Sequence, residues 1–209
     1  MTGLWHSAFV PVTPAGFARY TGRMGAGRDD EAVALLRRRD PRGFDQAYAA
    51  YAARLHAFLL RLGGRRDVAD DLLQHTFLRL AERGPELRAD SDLRAWLFTV
   101  ARNAYLAQVR APGGDRDDSA LEGLASPPPD VEARLLLGDV ERALASLRVE
   151  DRELLLLVGT EGMEPADVAR MLGVDPAALR QRLSRARSRL LAALERLPST
   201  STRTRKTLP

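Results

Sequence analysis

The sequence predicts an all-α protein: two small helical domains joined by a flexible acidic linker, the second domain carrying a helix-turn-helix. Three observations predict it. Apolar residues recur at spacings of three and four through most of residues 29–110 and 131–197, and no strand pattern competes convincingly. Between these blocks lies "APGGDRDDSALEGLASPPPD", which has the composition of a linker, with three consecutive prolines that favour extended chain. Near the end, "EPADVARMLGVDPAALRQRLSRARSRL" sets two helical stretches on either side of a glycine-containing turn.

Residues 1–28 are rich in Gly, Pro and Thr without periodicity and read as a flexible tail. The helical body begins near "DDEAVALLRRRD" and breaks at Pro41. "GFDQAYAAYAARLHAFLLRL" follows as a long amphipathic helix with Phe44, Tyr48, Tyr51, Leu55, Phe58 and Leu62 inward, stopping at Gly63 and Gly64. In "RRDVADDLLQHTFLRLAER" the core positions are Val68, Leu72, Phe77 and Leu80, and Gly84 with Pro85 ends the helix. Ser91 is positioned to cap "DLRAWLFTVARNAYLAQVR", whose stripe is Leu93, Trp96, Leu97, Val100 and Ala104. Its place on that stripe makes Trp96 a core anchor rather than a base-stacking aromatic. These helices form the first domain, residues 29–110, and residues 111–130 are the linker.

The second domain, residues 131–197, opens with "VEARLLLGDVERALASL" and "EDRELLLLVGTEG". Pro165 then starts a short helix with Val168, Met171 and Leu172 inward, small Ala169 at the close approach, and Gly173 where a left-handed residue is needed. Asp175 caps the next helix and Pro176 takes its first position, where a missing N–H costs nothing. Leu179, Leu183, Ala186, Leu190, Leu194 and Leu197 make its buried stripe. The opposite face is small and polar at its centre (Ala177, Gln181, Ser184, Ser188), with Arg180 and Arg187 on one flank and Arg182, Arg185 and Arg189 on the other. That face suits entry into a DNA groove with phosphates on both sides, although a solvated helix would carry the same pattern. Residues 198–209, with Arg203, Arg205 and Lys206, read as a basic solvated tail.

Charge sharpens the division. The net charge is only +4, but residues 176–197 hold six arginines and one acid, whereas residues 111–140 hold seven acids and two arginines. A basic end that meets nucleic acid and an acidic connector follow from this split. Lys206 is the only lysine, so arginine is the default cation, and its position carries more meaning than its abundance.

Other classes are excluded or left without support. The absence of cysteine excludes disulfides, cysteine-ligated zinc fingers and thiol catalysis. His6, His56 and His75 have no recognisable nucleophile or oriented carboxylate beside them and no phosphate-binding loop appears, so no enzyme and no cofactor is expected. Asp67, Asp71 and His75 share one helix face, yet no second helix offers matching ligands and no metal site is expected. The start of the chain lacks the pattern of a signal peptide and no segment reaches the length of a membrane span, which predicts a cytoplasmic protein with no membrane partner.

"DVADDLLQHTFLRL", "DLRAWLFTVARNAYL" and "EPADVARMLGVDPAALRQRLSRARSRL", in this order, resemble the RNA polymerase sigma factors of the extracytoplasmic-function (ECF) type. The resemblance implies a protein that binds core RNA polymerase and directs promoter-specific initiation. It assigns Asp70, Asp71, Leu73, Gln74 and Phe77 to the surface that docks on the polymerase. Arg88, Arg94, Arg102, Asn103 and Arg110 fall to the minus-ten promoter element, and Arg180, Gln181, Arg182, Ser184, Arg185, Arg187 and Arg189 to the minus-thirty-five element. An anti-sigma factor is a further candidate partner. On the residues alone, Arg94 and Arg102 read equally well as DNA contacts or as ordinary exposed arginines. The chain departs from the family pattern after "ARNAYL", where Ala107, Gln108, Val109 and a single Arg110 replace an Asp and a run of arginines. His75 stands for a usual Glu, Leu87 for a common aromatic, and Ala177 with Ala178 for Gly-Thr. The missing basic run motivates a second reading, a sigma-like protein that docks on polymerase or a regulator with weak promoter activity. A general helix-turn-helix repressor is a third, for which no dimerisation or sensing element is visible.

Overall fold

A computed structural model describes residues 28–110 and 131–197; the expected linker and both expected tails lie outside the described residues. The described chain is all helical. Helix α1 spans Arg28–Arg37, and its first-turn acids Asp29, Asp30 and Glu31 complement the positive end of the helix dipole. The chain reverses through Arg39, in the left-handed region at φ 58°, to Asp40. Asp40 accepts from the Arg42 N–H and caps α2, Pro41–Gly63. Its carboxyl is held at about 2 by hydrogen bonds from the Arg42 side chain and backbone. Gly64, at φ 75°, closes α2 by donating its N–H to the Leu60 carbonyl.

Helix α3 spans Arg66–Arg83, a 3-10 turn covers Gly84–Glu86, and α4 spans Leu93–Arg110. The start of α4 corrects an expectation: the Asp92 carboxylate accepts from the Ala95 N–H, while the Ser91 hydroxyl accepts from the Arg88 N–H in the preceding loop. Asp92 rather than Ser91 is therefore the cap. Leu55, Phe58, Leu62, Leu72, Leu80, Leu93, Leu97 and Phe98 make the centre of this group, with Phe58 and Phe98 edge to face at 5.2 Å. Trp96 is buried on the apolar stripe, as the sequence predicts. Tyr48 is not in the core. It is 49% exposed and leans on Phe77 at the surface, while Phe44 and Val68 are only half-buried.

Helix α5 spans Val131–Ala145 and α6 spans Val149–Leu155. The backbone then widens to a π-helical turn, Leu156–Thr160, in which the Glu161 N–H reaches back five residues to the Leu156 carbonyl. Helix α7, Pro165–Leu172, ends at Gly173 with φ 66°, and α8, Pro176–Arg196, begins at Asp175, whose carboxylate accepts from the Ala178 N–H. Val168 and Ala169 are fully buried against α8, so the helix-turn-helix forms where the glycine, the cap and the proline predict it.

The two helical groups are not independent bodies on a string. Helix α2 packs against α5 and α6, and α4 packs against α7. Leu154, Leu156, Leu157 and Met163 join the same buried apolar cluster as Leu55, Phe58 and Phe98. As a result α4 is covered nearly all round, with Ala95, Phe98, Thr99, Ala101 and Tyr105 buried in addition to the predicted stripe. Arg152 crosses the junction. Only 5% exposed, it donates to the carbonyls of Leu144, Ala145 and Leu147 at the end of α5, and at 2.8 Å to the Leu62 carbonyl at the end of α2. The helix C-termini offer free carbonyls and partial negative charge, so a buried guanidinium is satisfied there without a carboxylate.

Two substitutions test this packing. Replacing a helical glycine by alanine ordinarily gains about 0.5–1 kcal/mol. At Gly43, however, a Cβ would meet the Leu36 backbone N at 2.6 Å and the Ala32 carbonyl O at 2.9 Å, and neither can move without shifting α1. Gly43→Ala is therefore expected to lose about 1–3 kcal/mol, the cost of overpacking, in urea denaturation. Arg152→Met keeps the apolar stem but strands four buried carbonyls, and is expected to lose about 2–4 kcal/mol. The same assay on Arg142→Ala, which removes an exposed pair with Asp139, should move stability by no more than about 1 kcal/mol.

Candidate nucleic-acid interface

Helix α8 presents the most open cationic surface. Leu179, Leu183 and Ala186 are buried, while Leu190 and Leu194 are half-buried; this orientation leaves Ala177, Arg180, Gln181, Arg182, Ser184, Arg185, Arg187, Ser188 and Arg189 exposed. No carboxylate among the described residues pairs with Arg180, Arg182, Arg185 or Arg187. Arg189 is different: its Nη1 lies 2.5 Å from Asp151 Oδ2 on α6, which ties the middle of α8 to the body of the second group. Seven positions assigned to one surface thus do share one face, and Arg189 has a structural partner that the sequence did not disclose. The free guanidiniums and the small polar centre between them are chemically suited to phosphates on the flanks and base edges in the middle.

The surface expected for the minus-ten element divides in two. Arg88 and Arg110 are exposed, Arg88 held by Asp90 at 3.0 Å. Arg94 and Arg102 are not the exposed arginines of the bland reading, because both point into the junction. Arg94 Nη1 donates to the Glu161 carbonyl at 3.2 Å. Arg102 Nε is bound to Glu153 Oε1, and its Nη1 donates to Asn103 Oδ1 at 3.2 Å. Arg54, from α2, reaches Glu161 Oε2 at 2.9 Å. Glu153 and Glu161 are 4% and 6% exposed. Burial pushes both carboxyls above the usual range, against the pull of Arg102 on the first and Arg54 on the second.

The third surface lies on α3 at the far side of α4. Asp70, Asp71 and Gln74 are exposed, Leu73 is half-buried and Phe77 is buried, and together with Phe44, Tyr48, Leu78 and Ala81 they line one open, mainly apolar groove. The rings of Phe44, Tyr48 and Phe77 form a cluster with centroids 4.8–6.2 Å apart. Asp70 Oδ1 lies 2.9 Å from His56 Nε2 on α2, which fixes one rim. Tyr48 and Leu78, 49% and 57% exposed, belong to this groove and were missed as site residues. Tyr48 had been counted into the core because it keeps the helical phase of Phe44 and Tyr51. The five residues assigned to docking do come together, and the groove offers apolar contact between acidic edges.

Comparison with known proteins agrees with this layout. Residues 47–113 match Sigma-70 region 2, and residues 137–190 match Sigma-70 region 4. The ECF RNA polymerase sigma factor EcfG of Rhodopseudomonas palustris is 37% identical over 143 residues, 67% of this chain and 78% of that protein. The ECF RNA polymerase sigma factor SigC of Mycobacterium tuberculosis is 33% identical over 183 residues, 80% of this chain and 94% of its own length. Among solved structures, the sigma factor RpoE of Bartonella quintana, crystallised with the anti-sigma factor NepR, superposes with a TM-score of 0.61 at 32% identity, covering 74% of this chain and 98% of that one. With both regions in order on one helical chain, and relatives matched over most of their length, the protein belongs to the extracytoplasmic-function family of RNA polymerase sigma factors.

Proposed function

We infer that the chain binds core RNA polymerase and directs promoter-specific transcription initiation, with no catalysis of its own. The observation that carries this reading is the joint presence of a region 2 and a region 4, each with its own exposed surface of the right chemistry. In the first half, the groove bordered by Asp70, Asp71, Gln74 and Phe77 docks on the polymerase. In the second, α8 reads the minus-thirty-five duplex: Arg180, Gln181, Ser184 and Arg185 meet base edges, and Arg182, Arg187 and Arg189 meet phosphates. Arg88, Arg94, Arg102, Asn103 and Arg110 serve the minus-ten element. The anti-sigma factor bound to the Bartonella relative supports an anti-sigma protein as a further partner class. No described helix is long and apolar enough to cross a membrane, and the work proposed here takes place where the polymerase is, in the cytoplasm.

Reconstituted transcription with core polymerase and a genomic promoter library tests the role as a whole. Run-off products starting behind a common motif are expected; polymerase binding without transcripts would instead leave a docking protein. Charge reversal at Asp70→Lys with Asp71→Lys is expected to weaken capture of core polymerase, and unchanged capture would move the docking face elsewhere. On α8 the two arginine classes should fail differently. Arg185→Ala is expected to lose about 1–3 kcal/mol and relax preference at one promoter position. Arg187→Ala should weaken all sequences alike and flatten the salt dependence by about one unit of slope. Duplex binding across a salt series separates them, and identical losses from both would reduce α8 to a cationic face.

A further inference from the structure

We propose that Glu153 and Glu161 stand in for nucleic-acid phosphate on α4 and α2, so that the free protein is self-closed and its promoter-strand surface is released only when the two helical groups part. The geometry is that of a phosphate seat filled from within. Glu161 is held between two arginines from different helices: Arg54 binds its carboxylate at 2.9 Å, and Arg94 binds its carbonyl at 3.2 Å. Both acceptors belong to one residue because the π-helical turn before it brings backbone and side chain to the same side. Glu153, nearly two turns of chain earlier, occupies Arg102. Three of the cations on the first group that face the second are thereby neutralised by two buried acids, and none of the three remains open to a DNA strand.

The closure is also weak enough to reverse. A buried ion pair regains through attraction roughly what it loses in desolvation, so these pairs fix which surfaces meet without making the meeting tight. Of the four carbonyls that hold Arg152, only that of Leu62 lies across the junction, so parting leaves its other three bonds intact. Because the groups are covalently joined, closure competes with DNA as an intramolecular event at high effective concentration.

This inference rests on the reading of α4 as a promoter-strand surface, and the test separates the two. The chain has no cysteine, so Ala49→Cys on exposed α2 and Ser188→Cys on exposed α8 allow one pair of spin labels in the full-length protein. Distances are measured with and without Glu153→Gln plus Glu161→Gln, and binding of each protein to a labelled degenerate single-stranded DNA 20-mer is measured alongside. The double glutamine variant is expected to show a longer, broader distance distribution and about tenfold tighter DNA binding, the gain that follows if about one parent molecule in ten is open. Glu82→Gln with Glu86→Gln, the same charge change on exposed positions beyond the junction, is expected to change neither readout. An unchanged distance distribution would overturn the closure. A longer distance with unchanged DNA binding would keep the closure but overturn the competition, and would remove α4 as the strand-binding surface. An equal gain in affinity from both pairs of substitutions would make the effect one of net charge and overturn the proposal as well.

Discussion

A single buried guanidinium, that of Arg152, sets the relation between the two halves of this molecule. Its own helix is short, and nothing in the dipeptide context of "EDRELL" would keep a cation out of water. It is retained because two helices, α5 and α2, end beside it and present carbonyls that no helical N–H can reach. The position of α6 follows from that, since a charge buried in this way tolerates little displacement. The register of the π-helical turn follows from the position of α6. Leu154, Leu156 and Leu157 then reach the apolar cluster, and the second group docks on α2 and α4 rather than on any other face.

The docking has an unequal effect on the three functional surfaces. The apolar groove beside Phe77 faces away from the junction and is as accessible in the closed arrangement as in any other. The arginines of α8 other than Arg189 are likewise uncommitted. The cations of α4 are the exception. Polymerase docking and duplex reading need no rearrangement of the described residues, whereas access to the strand surface does. An order of events is thereby favoured in which the first encounter is made by surfaces already open.

Much of the fold was legible because local chemistry decides it. Gly173, Asp175 and Pro176 each have one conformational reason to be where they are, and together they fix the helix-turn-helix without help from distant residues. The stripe on α8 was equally plain, since its opposite face is exposed and the periodicity is clean. What the sequence did not disclose is long-range or marginal in phase. Asp92 and Ser91 are adjacent potential caps, and only the path of the loop decides between them. Tyr48 keeps the core phase of α2 but lies where α3 no longer covers it. Arg102 and Arg94 meet partners 51 and 67 positions away, in a stretch whose acids look like an ordinary solvated face. Periodicity carries no information about such pairings, and it fails outright through a turn that is not α-helical.

That turn has an evolutionary reading. A π-helical turn is an α-helix holding one surplus residue, and each residue of an α-helix turns the chain by about 100°. A deletion of one residue within 156–160 would let the segment relax to ordinary helix and swing Glu161 by about that angle, away from both Arg54 and Arg94. The hydrophobic content of "LLLLVG" would barely change. Within a lineage of such factors, gain or loss of a single codon is therefore enough to turn self-shielding on or off, with no alteration to any residue that touches polymerase or DNA.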